Sequence, residues 1–217
     1  MEVIARIHND LPTKFGLPRQ AGLAPSLRSK IVFEPAYRVA EALRGLEEFS
    51  YIWLIWGFSD SQGWSPTVRP PRLGGNVRMG VFATRSPFRP NPVGLSSVKL
   101  ESIEKDGANG LVLIVSGADL MDGTPIYDIK PYLPGADSHP DAADGFVGMH
   151  RQALLEVETA PEIAEILSGN QLAALREILA QDPRPAYHDD PGRTYGLSYA
   201  GLDIRFSVTG NTLKAWL

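Results

Sequence analysis

The distribution of apolar residues predicts a chain built mainly of short β-strands. Residues 51–58, YIWLIWGF, form a nearly unbroken apolar run, which is too short for most helices and predicts a strand buried on both faces. Weaker patterns predict further strands at residues 2–7, 31–33, 77–85, 95–104, 111–116 and 125–130. One helix is predicted over residues 36–46, where apolar positions recur at helical spacing, namely Ala36, Ala40, Leu43 and Leu46.

This series of elements predicts the fold class. Many short strands with tight turns and one helix fit a closed antiparallel β-barrel, and there is no strand–helix alternation of a doubly wound sheet. A Pro- and Gly-rich linker follows at 131–145, then two short helical segments at 161–181 divided by Gly169–Asn170, and an alternating strand at 202–208 that closes the chain. We therefore predict a mainly β protein, with a closed antiparallel β-barrel domain over residues 1–138. The small α+β C-terminal domain, over residues 146–217, has too few residues for an independent core and is expected to lean on the barrel.

Composition and motifs exclude several classes of protein. The chain has no cysteine, so it has no disulfides or thiolate sites, and its four histidines are too scattered to predict a metal site. Serine-hydrolase elbows, dinucleotide-binding motifs and P-loops are also missing. No apolar run approaches the ~20 residues of a membrane span, and the N-terminus lacks a signal-peptide pattern. We expect a soluble cytoplasmic protein with no membrane partner.

The charge is unevenly distributed along the chain. The formal net charge is −4, yet residues 61–100 contain no Asp or Glu and six basic residues: Arg69, Arg72, Arg78, Arg85, Arg89 and Lys99. A positive site on an acidic body attracts an anionic partner without coating the whole protein in it. The alternative interpretation is that individual arginines are solvated or paired with distant acids.

Four loops have an unusual composition: LPRQAGL (17–23), SPTVRPPRLGGN (65–76), TRSPFRPNPVG (84–94) and GADLMDGTPIYDIKPYLP (117–134). In the third loop, three prolines within six residues remove backbone donors and fix φ, so the loop is stiff before any ligand arrives. Arg85 and Arg89 on such a loop lose little entropy when they bind a flat anion or base.

The fourth loop carries the candidate acid–base residues Asp119, Asp122 and Asp128, with Lys130 on the same strand face as Asp128. Each has a structural alternative. Asp119 and Asp122 flank an Asp-Gly turn in which such side chains cap backbone amides. Asp128 and Lys130 would make a surface ion pair contributing less than ~1 kcal/mol to stability.

Taken together, RPPRLGGNVRMGVFATRSPFRPNPVGLSSVKL and DLMDGTPIYDIKPYLP resemble the TsaA-like family, and LPRQAGL and LAQDPRPAY (179–187) resemble it too. The resemblance spans nearly the full chain. It implies a β-barrel S-adenosylmethionine-dependent enzyme, working as a homodimer. Such an enzyme methylates the exocyclic nitrogen of N6-threonylcarbamoyladenosine beside the anticodon of certain tRNAs.

The resemblance also implies the site residues. Those expected to hold the cofactor are Ala21, Gly22, Leu23, Ser61, Gln62, Pro87, Ser97, Ala118, Asp119, Leu120 and Met121. This chain departs from the family pattern at Ala21, where relatives often have Pro, and in a shorter loop before Gly63. Independently of the resemblance, we expect the basic residues Arg69, Arg72, Arg85, Arg89 and Lys130 to contact RNA. Within this set, Arg85 and Arg89 on the stiff loop would hold a phosphate or the threonyl carboxylate.

The chemistry of methyl transfer to an amide-like nitrogen agrees with this set, because positioning carries most of the catalysis and a carboxylate able to accept the proton helps. The sequence does not distinguish which of Asp119, Asp122 and Asp128 accepts the proton. Two other functions also stay open: a non-catalytic barrel that binds cofactor or RNA, and a barrel hydrolase that uses Asp119 and Asp122 as an acid–base pair.

Overall fold

Six strands in the N-terminal part of the chain close into an antiparallel barrel, which confirms the predicted fold class. The structure is a computed structural model, and it describes residues 1–59, 61–70, 73, 77–150, 153–185, 190 and 192–217. The barrel strands are β1 (Ala5–His8), β2 (Arg28–Phe33), β3 (Tyr51–Gly57), β6 (Val93–Lys105), β7 (Leu111–Ser116) and β8 (Pro125–Pro131). Their order around the barrel is β1–β2–β7–β6–β3–β8, and β8 pairs back onto β1. Two short strands, β4 (Thr67–Val68) and β5 (Met79–Gly80), pair with each other outside the barrel.

The helix predicted over residues 36–46 is wrong. Three separate 3-10 turns occupy this stretch, at Pro35–Tyr37, Ala40–Leu43 and Leu46–Glu48. Val39 and Arg44 between them are extended, and Gly45 has a φ of 84°, so a continuous helix cannot form. Only Leu43 of the four spaced apolar residues is buried, since the apolar spacing there does not reflect one helical face.

Two strand predictions also need correction. β3 is not buried on both faces, because Ile52 and Leu54 are fully buried whereas Tyr51 is 45% exposed on the outer face of the barrel. The predicted strand 77–85 contains only the two residues of β5, followed by a 3-10 turn at Val81–Ala83. Its proline-free apolar pattern resembles a strand, but the segment pairs only with β4 and never joins the barrel.

A second, four-stranded sheet lies in the C-terminal part of the chain. Its order is β10 (Tyr195–Tyr199), β11 (Leu202–Thr209), β12 (Thr212–Trp216) and β9 (Glu156–Thr159), with β9 parallel to β12. The sequence predicted β11 alone, and β11 is not the last strand, since β12 follows it after a Gly210 turn with positive φ.

The helices are short: α1 (Pro134–Asp137), α2 (Pro161–Ile166) and α3 (Gly169–Ala180), with further 3-10 turns at Gly107–Asn109 and Gly145–His150. The break between α2 and α3 lies before the predicted Gly169–Asn170 pair, because Ser168 caps α3 in a capping box with Gln171. No helix among the described residues is long and apolar enough to cross a membrane.

The segment that links β1 to β2 belongs to the core of the C-terminal sheet. Leu11, Ala24 and Leu27 are fully buried with apolar residues of α3, β10 and β11. Hydrogen bonds fix the contact: the Glu177 carboxylate accepts from both the backbone N and the Oγ of Ser26, each at 2.8 Å. The small C-terminal sheet therefore completes its core with the LPRQAGL-containing segment of the N-terminal part.

Candidate active site

A cavity of about 640 Å³ opens beside the barrel, where β3 ends and β6 begins. Its walls come from residues that lie far apart in the sequence: 17–20, 56–59, 84–89, 93–95 and 119–121. Three of the four unusual loops thus meet at one place. The cavity lies within the ~300–1,000 Å³ range of ordinary ligand pockets.

Trp56 and Gly94 shape the floor of this cavity. They face each other across the β3–β6 pair, and the indole of Trp56 lies over the glycine. A Cβ atom at residue 94 would lie 2.2 Å from Cε2 of Trp56, so the ring fits only because residue 94 is glycine. Phe58 packs against the indole at 4.3 Å between ring centroids.

A chain of hydrogen bonds runs from Trp56 through Ser96 to Asp119. Nε1 of Trp56 donates to Oγ of Ser96 at 2.9 Å, and Oγ of Ser96 donates to Oδ1 of Asp119 at 2.6 Å. The direction is fixed, because an indole N–H can only donate and the serine hydroxyl must then use its own proton toward the carboxylate. Ser96 is 2% exposed. The chain therefore holds the Asp119 carboxylate in one orientation.

The environment of Asp119 raises the pKa of its carboxyl above the ordinary value. Burial is the largest cause. The hydrogen bond from Ser96, the backbone amides of Asp119 and Ala21, and the charge of Arg85 act in the opposite direction and favour the carboxylate. Burial prevails, and a carboxylate with a raised pKa is a better proton acceptor than an exposed one.

Glycines allow the two loops that flank Asp119 to approach closely. The backbone N of Gly22 donates to the carbonyl of Gly117 at 2.8 Å, and both residues have positive φ. A Cβ atom at residue 117 would lie 3.3 Å from Cα of Gly22. This contact brings Ala21 next to Asp119.

A second cavity of about 440 Å³ adjoins the first on the outer face of the barrel. Tyr51, Trp53 and Tyr132 form its aromatic walls, and Nε1 of Trp53 donates to Asp137 at 2.8 Å. Gln20, Arg85 and Leu95 line both cavities, and Arg85 donates a hydrogen bond to Oε1 of Gln20.

Seven of the eleven cofactor residues implied by the resemblance line one of these two cavities. Ser61, Pro87, Asp119, Leu120 and Met121 line the first cavity. Ala21 and Ser97 line the second cavity. The remaining four residues line neither of the two, and they are Gly22, Leu23, Gln62 and Ala118.

Of the three candidate bases, the structure brings only Asp119 into the first cavity. Oδ1 of Asp122 accepts from the backbone N of Asn9 at 3.1 Å and lies 3.2 Å from Nδ1 of His8, outside both cavities. Asp128 pairs with Lys130 at 2.9 Å, and both side chains are exposed. The sequence placed these two residues on one strand face, and the structure shows that they contact each other there.

The arginines occupy different surroundings. Arg85 is exposed at the junction of the two cavities. Arg89 is half-buried, and its Nη1 donates to the carbonyls of Thr84 at 2.8 Å and Ser86 at 3.4 Å, so it stiffens its own loop. Arg69 is exposed, and Arg72 lies outside the described residues.

Three residues of the site were not predicted from the sequence: Trp56, Ser96 and Gln20. The alternation in β6 could have identified Ser96, because Val98 and Leu100 are apolar and residues two apart share one face of a strand. That alternation points Ser96 into the barrel and Ser97 outward. Nothing local in the sequence distinguishes Gln20 as the partner of an arginine 65 residues away.

The chain is similar to known proteins over nearly its full length. The family model for the tRNA-methyltransferase O N-terminal domain matches residues 6–138, and that for the TrmO C-terminal domain matches residues 152–215. The chain is 44% identical to the tRNA (adenine(37)-N6)-methyltransferase of Escherichia coli (strain K12), covering 96% of this chain and 92% of that protein. It is 52% identical to a protein of the same description from Eikenella corrodens, over 74% of this chain and 91% of that one.

A solved structure is similar as well. The crystal structure of TrmO from Pseudomonas aeruginosa matches with a TM-score of 0.79 and 34% identity, covering 100% of this chain and 97% of that one.

Proposed function

The chain belongs to the tRNA-methyltransferase O (TrmO) family, and from that premise we propose that Asp119 is the proton acceptor in its reaction. That reaction is the S-adenosylmethionine-dependent methylation of the exocyclic nitrogen of adenine 37 in tRNA. The observation that carries the proposal is the Asp119 carboxylate, fixed by Ser96 and Trp56 at the wall of the first cavity.

The first cavity fits S-adenosylmethionine in size and chemistry. Its walls combine apolar surface from Trp56, Phe58 and Leu120 with the carboxylate of Asp119, which favours a cationic ligand. The cofactor would be held there by residues 119–121, Ser61 and Pro87, and Ala21 would contribute from the adjoining loop. When bound, S-adenosylmethionine supplies an electrophilic methyl group.

The roles of the protein groups follow from their positions. Asp119 accepts the proton that the exocyclic nitrogen loses as it gains the methyl group, which typically contributes ~10²–10⁴-fold to the rate. Ser96 holds one carboxylate oxygen of Asp119 in place at the wall of the first cavity. Arg85, exposed at the junction of the cavities, binds an anionic part of the RNA substrate.

We infer further that the acceptor is N6-threonylcarbamoyladenosine. Its threonyl carboxylate is an anion close to the acceptor nitrogen, and a planar guanidinium at the cavity junction matches it bidentately. The amide-like nitrogen of this nucleoside also has a delocalised lone pair, so it gains more from a proton acceptor than a simple amine would. We also propose that the enzyme acts in the cytoplasm, because its substrate is tRNA.

A homodimer is part of the same proposal. The outer barrel face around the second cavity exposes Tyr51 (45%) and Leu95 (54%) next to Trp53 and Tyr132. Covering this apolar face with a second copy about a two-fold axis removes it from water and sets both cavities close to the interface.

We also propose that the chain divides into domains at residues 1–138 and 146–217, since residues 133–145 between the two sheets are exposed throughout.

The two alternative functions make different predictions. A hydrolase with Asp119 and Asp122 as a pair needs both carboxylates at one site, whereas Asp122 bonds to His8 and Asn9 outside the cavity. A non-catalytic barrel binds cofactor or RNA without turnover.

Calorimetric titration with S-adenosylmethionine tests the proposal. We expect saturable binding and a raised melting temperature, because a ligand selective for the native state stabilises it. We also expect single-turnover methylation of tRNA by the same preparation. The absence of binding at millimolar cofactor would contradict the assignment of the cavity, and binding without turnover would favour the non-catalytic alternative.

A further inference from the structure

Residues 64–70 and 77–90 form a small unit beside the first cavity, which we call the aromatic arm. The β4–β5 pair joins its two halves. Two more backbone hydrogen bonds tie them together: Ser65 N to Phe88 O at 3.2 Å and Val81 N to Pro66 O at 3.0 Å. The arm is therefore an ordered, hydrogen-bonded unit outside the barrel.

The arm exposes large aromatic rings. Phe82 is 75% exposed, Trp64 58% and Phe88 47%. Exposed apolar residues scattered singly need no explanation, but three exposed aromatic side chains on one short unit, which we call the aromatic patch, do. One of the three, Phe88, also lines the first cavity, so the arm adjoins the site.

The ring of Phe82 makes a cation–π contact with the guanidinium of Arg89. The guanidinium of Arg89 lies 5.9 Å from the centroid of the Phe82 ring, and Nη1 of Arg89 is held by the carbonyls of Thr84 and Ser86. The ring is thus oriented by a group on one side while most of its surface faces solvent. A pre-oriented ring with a free face loses little entropy when a flat partner stacks on it.

The charge of the arm selects an anionic partner. Residues 61–100 contain no carboxylate side chain, and the arm itself carries Arg69, Arg78, Arg85 and Arg89. A second copy of the chain seated symmetrically on this patch would bring two such cationic arms together, which like-charge repulsion disfavours. A partner that is both anionic and rich in flat rings satisfies both features of the arm.

We propose that the aromatic arm is a stacking platform for single-stranded RNA, with Phe82 and Phe88 holding unpaired bases that neighbour the acceptor adenosine. Basic grooves interleaved with exposed aromatic rings are the recurrent means of binding single-stranded nucleic acid. Base-paired RNA hides its ring faces inside the helix, so the arm favours a loop over a duplex. This inference rests on the proposed function for the identity of the acceptor, but it concerns different residues from those that perform the chemistry.

Three substitutions of Phe82 in the full chain separate stacking from other effects. Phe82→Ala removes the ring, Phe82→Leu keeps an apolar side chain without a flat face, and Phe82→Trp keeps a ring. Val39→Ala serves as the matched control, because Val39 is also an exposed apolar residue (49%) but lies in the segment between β2 and β3. The probes are a synthetic hairpin RNA with the sequence of a tRNA anticodon arm and a fully paired RNA duplex, both at one fixed salt concentration.

We expect Phe82→Ala and Phe82→Leu to weaken binding of the hairpin by about tenfold in fluorescence anisotropy, as for the loss of one stacked base. Phe82→Trp and Val39→Ala should bind it like the wild type. Duplex affinity, calorimetric affinity for S-adenosylmethionine and melting temperature should not change in any variant, because Phe82 lies outside the cofactor cavity and the core.

Hairpin affinity of Phe82→Ala within twofold of the wild type would overturn the inference, as would equal affinities of Phe82→Leu and Phe82→Trp. A change in assembly mass by light scattering on Phe82→Ala would also overturn it and assign the patch to self-association. The proposed function fails by a different result, namely that the wild type does not methylate tRNA even though it binds the hairpin.

Discussion

Ser96 and Ser97 are adjacent in β6, yet their side chains lie on opposite sides of the barrel wall. Ser96 is buried and bonded to both Trp56 and Asp119, whereas Ser97 is half-buried on the outer side of the wall. The resemblance implied a role for Ser97, and period-2 alternation assigns the inner position to its neighbour. An error of one position along a strand therefore assigns the wrong chemistry to a side chain, because neighbouring residues face opposite sides.

Replacing Ser96 by Ala should change the pH dependence of the reaction. The variant loses a hydrogen bond that favours the carboxylate, so the pKa of Asp119 rises further. Because activity needs the ionised form, the decline in kcat on acidification should begin at a higher pH than in the wild type. Leaving Nε1 of Trp56 without its acceptor should also cost about 1–3 kcal/mol of unfolding free energy.

Ser97→Ala is the matched control, and it should leave the pH profile in place. If both serine variants showed the wild-type profile while the Ser96 variant was merely less stable, Ser96 would have a structural role and no part in positioning Asp119.

Asp119→Asn tests the proton acceptor. We expect single-turnover methylation at saturating cofactor to fall by ~10²–10⁴-fold, and cofactor binding to weaken but stay measurable, because the carboxylate is one of several groups that would hold the cofactor. The amide oxygen still accepts from Ser96, so the fold is kept. The folded-state pKa of Asp119 is raised, so this group contributes stability below its unfolded pKa and loses that contribution as the pH rises through the folded pKa. At neutral pH the Asn variant should therefore be at least as resistant to thermal unfolding as the wild type.

Asp122→Asn and Asp128→Asn provide the comparison, because neither carboxylate faces the first cavity. Both should retain methylation within a few-fold. If Asp119→Asn stayed active while one of these two variants lost turnover, the base would be Asp122 or Asp128 and not Asp119.

At the scale of elements, the long apolar or alternating strands could be predicted and the short irregular pieces could not. β7 was predicted at its observed residues, and β6 and β8 within a few residues, because their pattern reports a buried barrel face. Residues 36–46 carry apolar side chains at helical spacing but form separate turns, since Arg38 instead donates to the carbonyls of Phe33 and Ala108. β9 and β12 were missed, because four or five residues give too little alternation to detect.

The stiff loop at residues 84–94 has two arginines with different roles. Arg89→Lys cannot bridge the carbonyls of Thr84 and Ser86 with a planar group, so it should lower the unfolding free energy by about 1–2 kcal/mol. Arg85→Lys should melt like the wild type and bind cofactor normally, but raise the apparent KM for modified tRNA by about tenfold. Melting temperature and methylation kinetics, measured on the same preparations, distinguish a role in stability from a role in substrate binding for each arginine. A coupled loss of stability and activity in Arg85→Lys would show that Arg85 maintains the fold.

At the scale of the whole molecule, two hydrophobic cores share one segment. The chain between β1 and β2 contributes Leu11, Ala24 and Leu27 to the C-terminal core and Ala21 to the wall beside Asp119. The sequence predicted that the C-terminal part leans on the barrel, since it is short of core residues. The contributing residues could not be predicted, because they lie about 150 residues from the α3 partner they contact.

The proposed dimer predicts an effect of charge on the outer barrel face. Tyr51→Glu would place a carboxylate on the outer barrel face that the proposed dimer covers, where it stays hydrated in a monomer but is buried in a dimer. We expect light scattering to give dimer mass for the wild type and monomer mass for this variant. Val39→Glu, on another exposed apolar residue, should remain dimeric. A wild type that is monomeric at micromolar concentrations would contradict the dimer.

This chain is expected to methylate adenine 37 of tRNA. The most direct measurement incubates the purified protein with S-adenosylmethionine and tRNA, digests the RNA, and identifies the methylated nucleoside and its position by mass spectrometry. We predict one added methyl group on the exocyclic nitrogen at position 37, appearing on tRNA that carries the threonylcarbamoyl group and forming far more slowly with Asp119→Asn. Unmethylated tRNA after prolonged incubation with cofactor-binding protein, or methyl groups found only at other positions, would contradict it.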